Sequence, residues 1–310
     1  MGDMRIYDSV IIGGGPAGMT AAMYCARAGL DCAIVEMLGP GGQMAQTEHL
    51  ENYPGFNQST SGYELSEIMN EQATSFGATT IYDQVAGLDL DADPKIVRLS
   101  DGSISTRALI IASGARPAKL DVPGEQELVG SGVSYCATCD GNFFKGRTVC
   151  VVGGGDTAVA DAIYLSRICE KVYLLVRRDV LRATAIYNAK LKELPNVEIV
   201  WNTVVERIVG EDMAVSGVDV RNRQTDEAYR IDCAGVFVAV GTVPNVEYLD
   251  GQLELDRTGR IVTNSVCATS VPGVYAAGDV RSKQLYQVTT AVADGANAAE
   301  DVAEYLIQHS

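Results

Sequence analysis

Cys136 and Cys139 stand three residues apart in the run Cys136-Ala137-Thr138-Cys139-Asp140-Gly141. Two thiols at that spacing can close a small, reducible disulfide ring, and a thiolate there is the nucleophile of dithiol–disulfide exchange. Taken alone the pair is ambiguous between half a zinc site, a redox dithiol and coincidence. Zinc is a poor reading, because four ligands are usual and the sequence has no second CxxC and no histidine pair. Position favours redox chemistry. The dithiol lies just before Thr148-Val149-Cys150-Val151-Val152-Gly153-Gly154-Gly155-Asp156-Thr157-Ala158, a strand followed by a glycine turn, and a similar turn stands near the start as Gly13-Gly14-Gly15-Pro16-Ala17-Gly18. A dithiol beside two dinucleotide sites suggests electrons passing from one nucleotide, through another, to sulfur. Disulfide reduction takes two electrons, a hydride donor gives two at once, and a flavin is a suitable relay.

Such an exchange needs a proton donor. The chain has two histidines, His49 and His309. His49 falls in an early loop and His309, next to last, is expected to be mobile, so neither adjoins the dithiol in sequence. Asp140 does, which makes it the economical general acid. A helix N-cap is its structural alternative, and the two roles are compatible.

The elements that position this chemistry follow from pattern. Asp8 to Ile12 reads as a buried strand, Pro16 to Ala28 as a helix, and Asp31 to Val35 as a second strand ending at Glu36. Gly13, Gly15 and Gly18 form GxGxxG between strand and helix. The first glycine makes the turn, the second lets backbone approach a pyrophosphate, and the third lets helix and strand pack closely; Glu36 accepts from a ribose hydroxyl. Gly39 to Met44 is a glycine loop, Glu51 to Gly55 a turn, Ser61 to Phe76 an amphipathic helix, and Thr79 to Arg107 a small meander. An apolar strand from Arg107 to Ala112 closes on Ser113-Gly114-Ala115-Arg116-Pro117. Then the layout repeats. Gly153, Gly155 and Ala158 form GxGxxA, a helix runs from Asp156 to Ile168, and a strand from Lys171 to Val176 is followed by Arg177, Arg178 and, one helical turn on, Arg182. Cations there suit a 2′-phosphate, whereas Glu36 at the equivalent place repels one. Val236 to Pro244 echoes the earlier strand and Gly-x-x-Pro. Two copies of one layout imply two domains of one fold, each binding a nucleotide. Val274 to Val280 is a strand ending in Gly278-Asp279, followed by a helix from Thr289 to Ile307. That segment can return to the first domain and complete its pocket. The fold class is thus α/β, with two Rossmann-like, three-layer domains, the second inserted into the first. The expected boundaries are 1–118, 119–245 and 246–310.

Composition bounds the rest. A chain of 310 residues with 47% apolar content supports about two domains. The net charge of −16, without a basic run, disfavours nucleic-acid binding. No signal peptide and no apolar run near the ~20 residues of a membrane span are apparent, so a cytoplasmic protein is expected. Cys25, Cys32, Cys150, Cys169, Cys233 and Cys267 are solitary and read as small core residues.

With these motifs in place, the chain resembles the low-molecular-weight, bacterial-type thioredoxin reductases along essentially its whole length. The resemblance rests on Gly13 to Gly18, Gly41-Gly42-Gln43, Glu51 to Gly55, Cys136 to Gly141, Gly153 to Ala158, Arg177-Arg178 with Arg182, and Ala277-Gly278-Asp279. It implies FAD in the split domain, NADPH in the inserted one, a homodimer, and reduction of thioredoxin. For FAD it points to Gly13, Gly15, Pro16, Ala17, Gly18, Glu36, Gly42 and Gln43, with Asn52, Val85, Ser113, Gly114, Gly278, Asp279, Gln287 and Val288. For NADPH it points to Gly153, Gly155, Asp156, Thr157, Ala158, Arg177, Arg178 and Arg182. It implies that Cys139 faces the flavin, that Cys136 attacks thioredoxin and that Asp140 protonates. Two positions depart from the family pattern: Val176 stands where histidine is usual, and Tyr286 where arginine is usual. A related flavin dithiol enzyme with NADH or ferredoxin as donor, or with another dithiol partner, is the alternative; a non-catalytic redox-sensing flavoprotein is a third reading. The intact dithiol disfavours the last, and the three arginines disfavour ferredoxin.

Overall fold

The computed structural model describes residues 5–47, 50, 52–56 and 60–309. The chain divides into two compact units, Met1–Arg116 with Val243–Ser310, and Pro117–Thr242.

The first unit begins β1 (Ile6–Ile12), α1 (Pro16–Arg27), β2 (Cys32–Glu36) and α2 (Gly62–Ser75). The start of α2 is set by a capping box in which Ser61 accepts from Glu64 N–H and the Glu64 carboxylate accepts from Ser61 N–H. Then come β3 (Thr79–Tyr82), β4 (Val85–Asp89), β5 (Lys95–Leu99), β6 (Ser103–Ile111) and β7 (Ala115–Pro117). The order β3-β2-β1-β6 is parallel, while β4 and β5 fold back as an antiparallel meander on the first half of β6.

The second unit carries β8 (Val133–Ser134), α3 (Ala137–Asp140), β9 (Thr148–Val152), α4 (Asp156–Ser166), β10 (Lys171–Val176), α5 (Ala185–Lys192), β11 (Val197–Trp201), β12 (Thr203–Glu211), β13 (Ala214–Asn222), β14 (Ala228–Asp232) and β15 (Gly235–Val238). Its parallel sheet runs β11-β10-β9-β15-β8, and β12-β13-β14 form an antiparallel sheet.

The chain then passes β16 (Thr242–Pro244), which pairs with β7, and ends with β17 (Val274–Ala276) and α6 (Val288–Gln308). In the first unit β17 pairs with Leu109–Ile111 of β6, so the last 68 residues complete the first sheet. α6 packs on α1 so closely that a Cβ at Gly295 would lie 2.2 Å from Ala17 O. Each parallel sheet is covered on both faces, as parallel sheets require. Cys25, Ile34, Ile110 and Val302 lie on one face of the first sheet, Val10, Val35, Leu109 and Val274 on the other. Among the described residues no helix is long and apolar enough to cross a membrane. The His309 ring stacks on Tyr305, with centroids 4.2 Å apart, and its backbone N–H donates to Tyr305 O.

Candidate functional site

In the second unit Cys136 and Cys139 are joined as a disulfide. β8 ends at Ser134, and the chain then leaves the sheet. The Ser134 hydroxyl holds Cys136 from both sides, accepting from its N–H at 3.0 Å and donating to its carbonyl at 3.2 Å. Cys136 occupies the N-cap of α3, and its sulfur accepts from Cys139 N–H at 3.2 Å, with the Thr138 hydroxyl 3.5 Å away. Sulfur thereby takes a place ordinarily held by a side-chain oxygen. Cys136 is half-buried and Cys139 exposed. Asp140 adjoins Cys139 at the N-cap position of the 3-10 turn Gly141–Phe144, but its side chain makes no capping bond there. The capping alternative is therefore not realised, and the carboxylate is not committed to that helix end. His49 lies outside the described residues.

The glycine turn of the same unit follows β9. Gly153 has φ +151°, and a Cβ on it would lie 2.2 Å from Ala239 O. A Cβ on Gly155, by contrast, would meet nothing within 4 Å, and the N-terminus of α4 has no side-chain cap. Open space in front of unpaired helical N–H groups fits a pyrophosphate. Beside it is a cavity of about 280 Å³ whose lining includes Gly153, Gly154, Val176, Arg177, Arg178 and Arg182. The three arginines are exposed, and Val176 is buried beneath them. Arg182 does not sit on a further helical turn. Its stretch is a loop, pinned where Arg182 N–H donates to Gly154 O at 2.7 Å. Ala158 packs in the core; Thr157 is exposed on α4; the Asp156 carboxylate accepts from Thr184 N–H at 2.7 Å, which fixes the loop past the arginines. Lys119 and Thr203 also line the cavity and were not anticipated. Neither belongs to a local motif, since both arrive from distant segments.

The first unit repeats the arrangement with different walls. Gly13 has φ +104°, and a Cβ there would lie 2.4 Å from Ala112 O; one on Gly18 would lie 1.9 Å from Gly13 O; one on Gly15 would meet nothing. α1 begins at Pro16 with no side-chain cap. The Glu36 carboxylate accepts from Gly14 N–H at 2.6 Å and from Leu38 N–H at 3.0 Å. Gly42 packs near Gly15, and Gln43 donates to Ala115 O. Gly278 meets Ala17, where an added Cβ would lie 2.9 Å from the Ala17 Cβ. Asp279 follows, its carboxyl pushed upward by burial against the opposing pull of Lys283 and Arg260. Asn52 donates to Gln287 at 2.8 Å, and Val288 opens α6. Ser113 donates to Asn245 O, and Gly114 O accepts from Asn245 N–H. Val85 opens β4 two residues after Asp83, whose N–H bonds Glu36 O. Glu36, Gly42, Ser113 and Gly278 thus come from distant segments to one helix start, and the open face at Gly15 fits a dinucleotide phosphate. Tyr286 has a physical account as well. Its ring lies 4.4 Å from the Arg260 guanidinium and 5.7 Å from Lys283 Nζ, so an arginine there would add a third cation to a cluster already holding two.

The profile of the pyridine nucleotide-disulphide oxidoreductase family matches residues 7–295. Thioredoxin reductase of Bacillus subtilis is 44% identical over 306 residues, covering 99% of this chain and 96% of its own. The crystal structure of Lactococcus lactis thioredoxin reductase matches with a TM-score of 0.94 at 41% identity, over 97% of this chain and 99% of that one. The T. acidophilum thioredoxin reductase matches with a TM-score of 0.91 at 36% identity, over 99% and 100%. The chain belongs to the pyridine nucleotide-disulphide oxidoreductase family and, within it, to the low-molecular-weight thioredoxin reductases.

Proposed function

We propose that this chain reduces the disulfide of thioredoxin through Cys136 and Cys139, with NADPH bound in the second unit and FAD in the first. Enzymes of this family contain FAD and depend on NADPH. When bound, the flavin supplies the relay that takes two electrons from nicotinamide and passes them to a disulfide. The residues that would hold it are Gly13, Gly15, Gly18, Glu36, Gly42, Gln43, Gly278 and Asp279. Gly153, Gly155, Arg177, Arg178 and Arg182 would hold the nicotinamide nucleotide. The observation that carries the reading is the sulfur-capped helix start, which presents the Cys136–Cys139 disulfide with Cys139 exposed and the Cys136 sulfur held by hydrogen bonds.

That geometry supports an order of attack opposite to the one the resemblance implies. Carrier reaches the exposed Cys139 first. The Cys139 thiolate attacks one sulfur of the carrier disulfide, forming a mixed disulfide and expelling the first carrier thiolate. Cys136, whose charge is held by Cys139 N–H and the Thr138 hydroxyl, then attacks the Cys139 sulfur. The ring closes again and the second carrier thiolate leaves. Two thiolates take up two protons; the hydride accounts for one, and Asp140 relays the other from water. Six free cysteines, all buried, suit a reducing cytoplasm. The active form is a homodimer.

Purified protein should be yellow, bleach with NADPH, and regain colour when oxidised thioredoxin is added. Cys136→Ser should trap a mixed disulfide with a single-cysteine thioredoxin, and Cys139→Ser should not. Trapping by Cys139→Ser alone would reverse the roles, and bleached enzyme that thioredoxin leaves bleached would overturn the substrate.

A further inference from the structure

Glu125 is fully buried, with a relative exposure of 0%, and none of the described residues that bond its carboxylate is a cation. Those bonds come from Leu120 N–H at 2.9 Å, Asp121 N–H at 2.7 Å and the Tyr135 hydroxyl at 2.8 Å. A buried carboxylate is costly unless several donors satisfy it, and the loss of any one donor is then felt strongly. Two of the donors belong to the segment that lines the nucleotide cavity through Lys119 and Leu120. The third belongs to the residue immediately before Cys136. The sheet pairing of β8 stops at Ser134, so past that point the Cys136 backbone is located by the Ser134 hydroxyl and by wherever Tyr135 is anchored.

We propose that Glu125, acting through Tyr135, is a positioning residue for the dithiol: it fixes the backbone that aims the Cys136 sulfur at Cys139 N–H. Burial and the Glu125 carboxylate push the Tyr135 hydroxyl up to about 12, so the phenol stays protonated and donates at working pH. A sulfur held against an N–H donor favours the reduced pair, because charge on Cys136 is stabilised there and not in the disulfide. Loosening Tyr135 therefore moves the pair toward the disulfide.

This inference rests on Cys136 and Cys139 being the reacting dithiol, but not on thioredoxin being its substrate. The test is the equilibrium of that pair in dithiothreitol buffers, read on the flavin-loaded protein by alkylation and mass spectrometry. Tyr135→Phe removes one hydroxyl and keeps the ring. It should shift the equilibrium toward the disulfide about fivefold, the value of one hydrogen bond, and leave binding of 2′,5′-ADP by calorimetry unchanged. Glu125→Ala removes both acceptor oxygens. It should shift the dithiol equilibrium the same way and also weaken 2′,5′-ADP, because Leu120 and Asp121 are released together with Tyr135. A Tyr135→Phe equilibrium equal to wild type overturns the proposal, and so does a variant that melts earlier without moving the equilibrium. Failure of thioredoxin to be reduced would strike the substrate reading instead.

Discussion

The two glycine turns share one skeleton and differ in what closes it. In the first unit Gly41 N–H donates to Gly14 O at 2.7 Å; in the second, Arg182 N–H donates to Gly154 O at the same 2.7 Å. Each middle glycine carbonyl is thus held by the loop that follows the second strand, and Gly15 and Gly155 face open space alike. The difference lies at the end of that strand. Glu36 turns its carboxylate back onto Gly14 N–H, whereas Val176 places a methyl group 3.0 Å from where a Gly154 Cβ would be, and arginines follow. In the proposed function the backbone recognises phosphate in both units, and the strand end and the loop after it choose the nucleotide.

The largest test of this contrast removes the cations. Guanidinium groups meet phosphate with paired, charge-assisted bonds, each contributing roughly 1.5–3 kcal/mol. Arg177→Ala with Arg178→Ala should cost about 10²–10⁴ in the preference for NADPH over NADH, chiefly through the Michaelis constant for NADPH. The readout is the ratio of specificity constants in wild type and double mutant. A wild-type ratio near one, unchanged in the mutant, would remove the phosphate clamp from the second unit.

A smaller effect separates the third glycine positions. Ala158 occupies that place in the second unit and is fully buried, while Gly18 leaves no room, its added Cβ falling 1.9 Å from Gly13 O. Gly18→Ala should destabilise the first unit by the roughly 1–3 kcal/mol of an overpacked core and lower flavin retention. Ala158→Gly only removes a methyl and adds backbone freedom, at about 0.5–1 kcal/mol within a helix. Paired denaturant titrations give both values; equal losses would mean the two turns are packed alike.

Much of this was legible because the requirement is local. A strand, a GxGxxG or GxGxxA turn and a helix follow one another within a few residues, and backbone sterics demand those residue types. The six solitary cysteines were readable as small residues in mostly apolar surroundings, and all six are buried. What stayed hidden depends on distant segments. Glu125 looks like any surface acid until Leu120, Asp121 and Tyr135 turn their donors inward. Lys119 reaches the cavity wall from the crossing between units of the chain, with no motif to mark it. The helical turn expected before Arg182 failed because its N–H is drawn to Gly154 O and Arg178 O accepts from Asn202 N–H, bonds that local propensity does not foresee. The capping alternative for Asp140 is not realised either: Cys136 takes the start of α3, and Asp140 stands at the start of the next turn without a side-chain cap bond.

A tenfold effect is the most specific to the contrast. Gly15 and Gly155 have φ of −79° and −98°, which any residue adopts, and an added Cβ meets no protein atom at either. Neither glycine is therefore needed for folding, unlike Gly13 and Gly18. If the open space is kept for a phosphate, alanine at each position intrudes only on the bound nucleotide of its own unit. Gly15→Ala should loosen FAD by about tenfold, near 1.4 kcal/mol, with the NADPH Michaelis constant unchanged. Gly155→Ala should raise that constant by a similar factor with FAD retention unchanged. Both variants should unfold within about 0.5 kcal/mol of wild type, as substitutions that touch no packed group do. Flavin dissociation followed by fluorescence, steady-state kinetics and a urea titration on the same two proteins give all of these numbers. If Gly15→Ala weakened NADPH as much as FAD, or if either variant lost stability in step with its cofactor, the open space would not be a separate nucleotide seat in each unit.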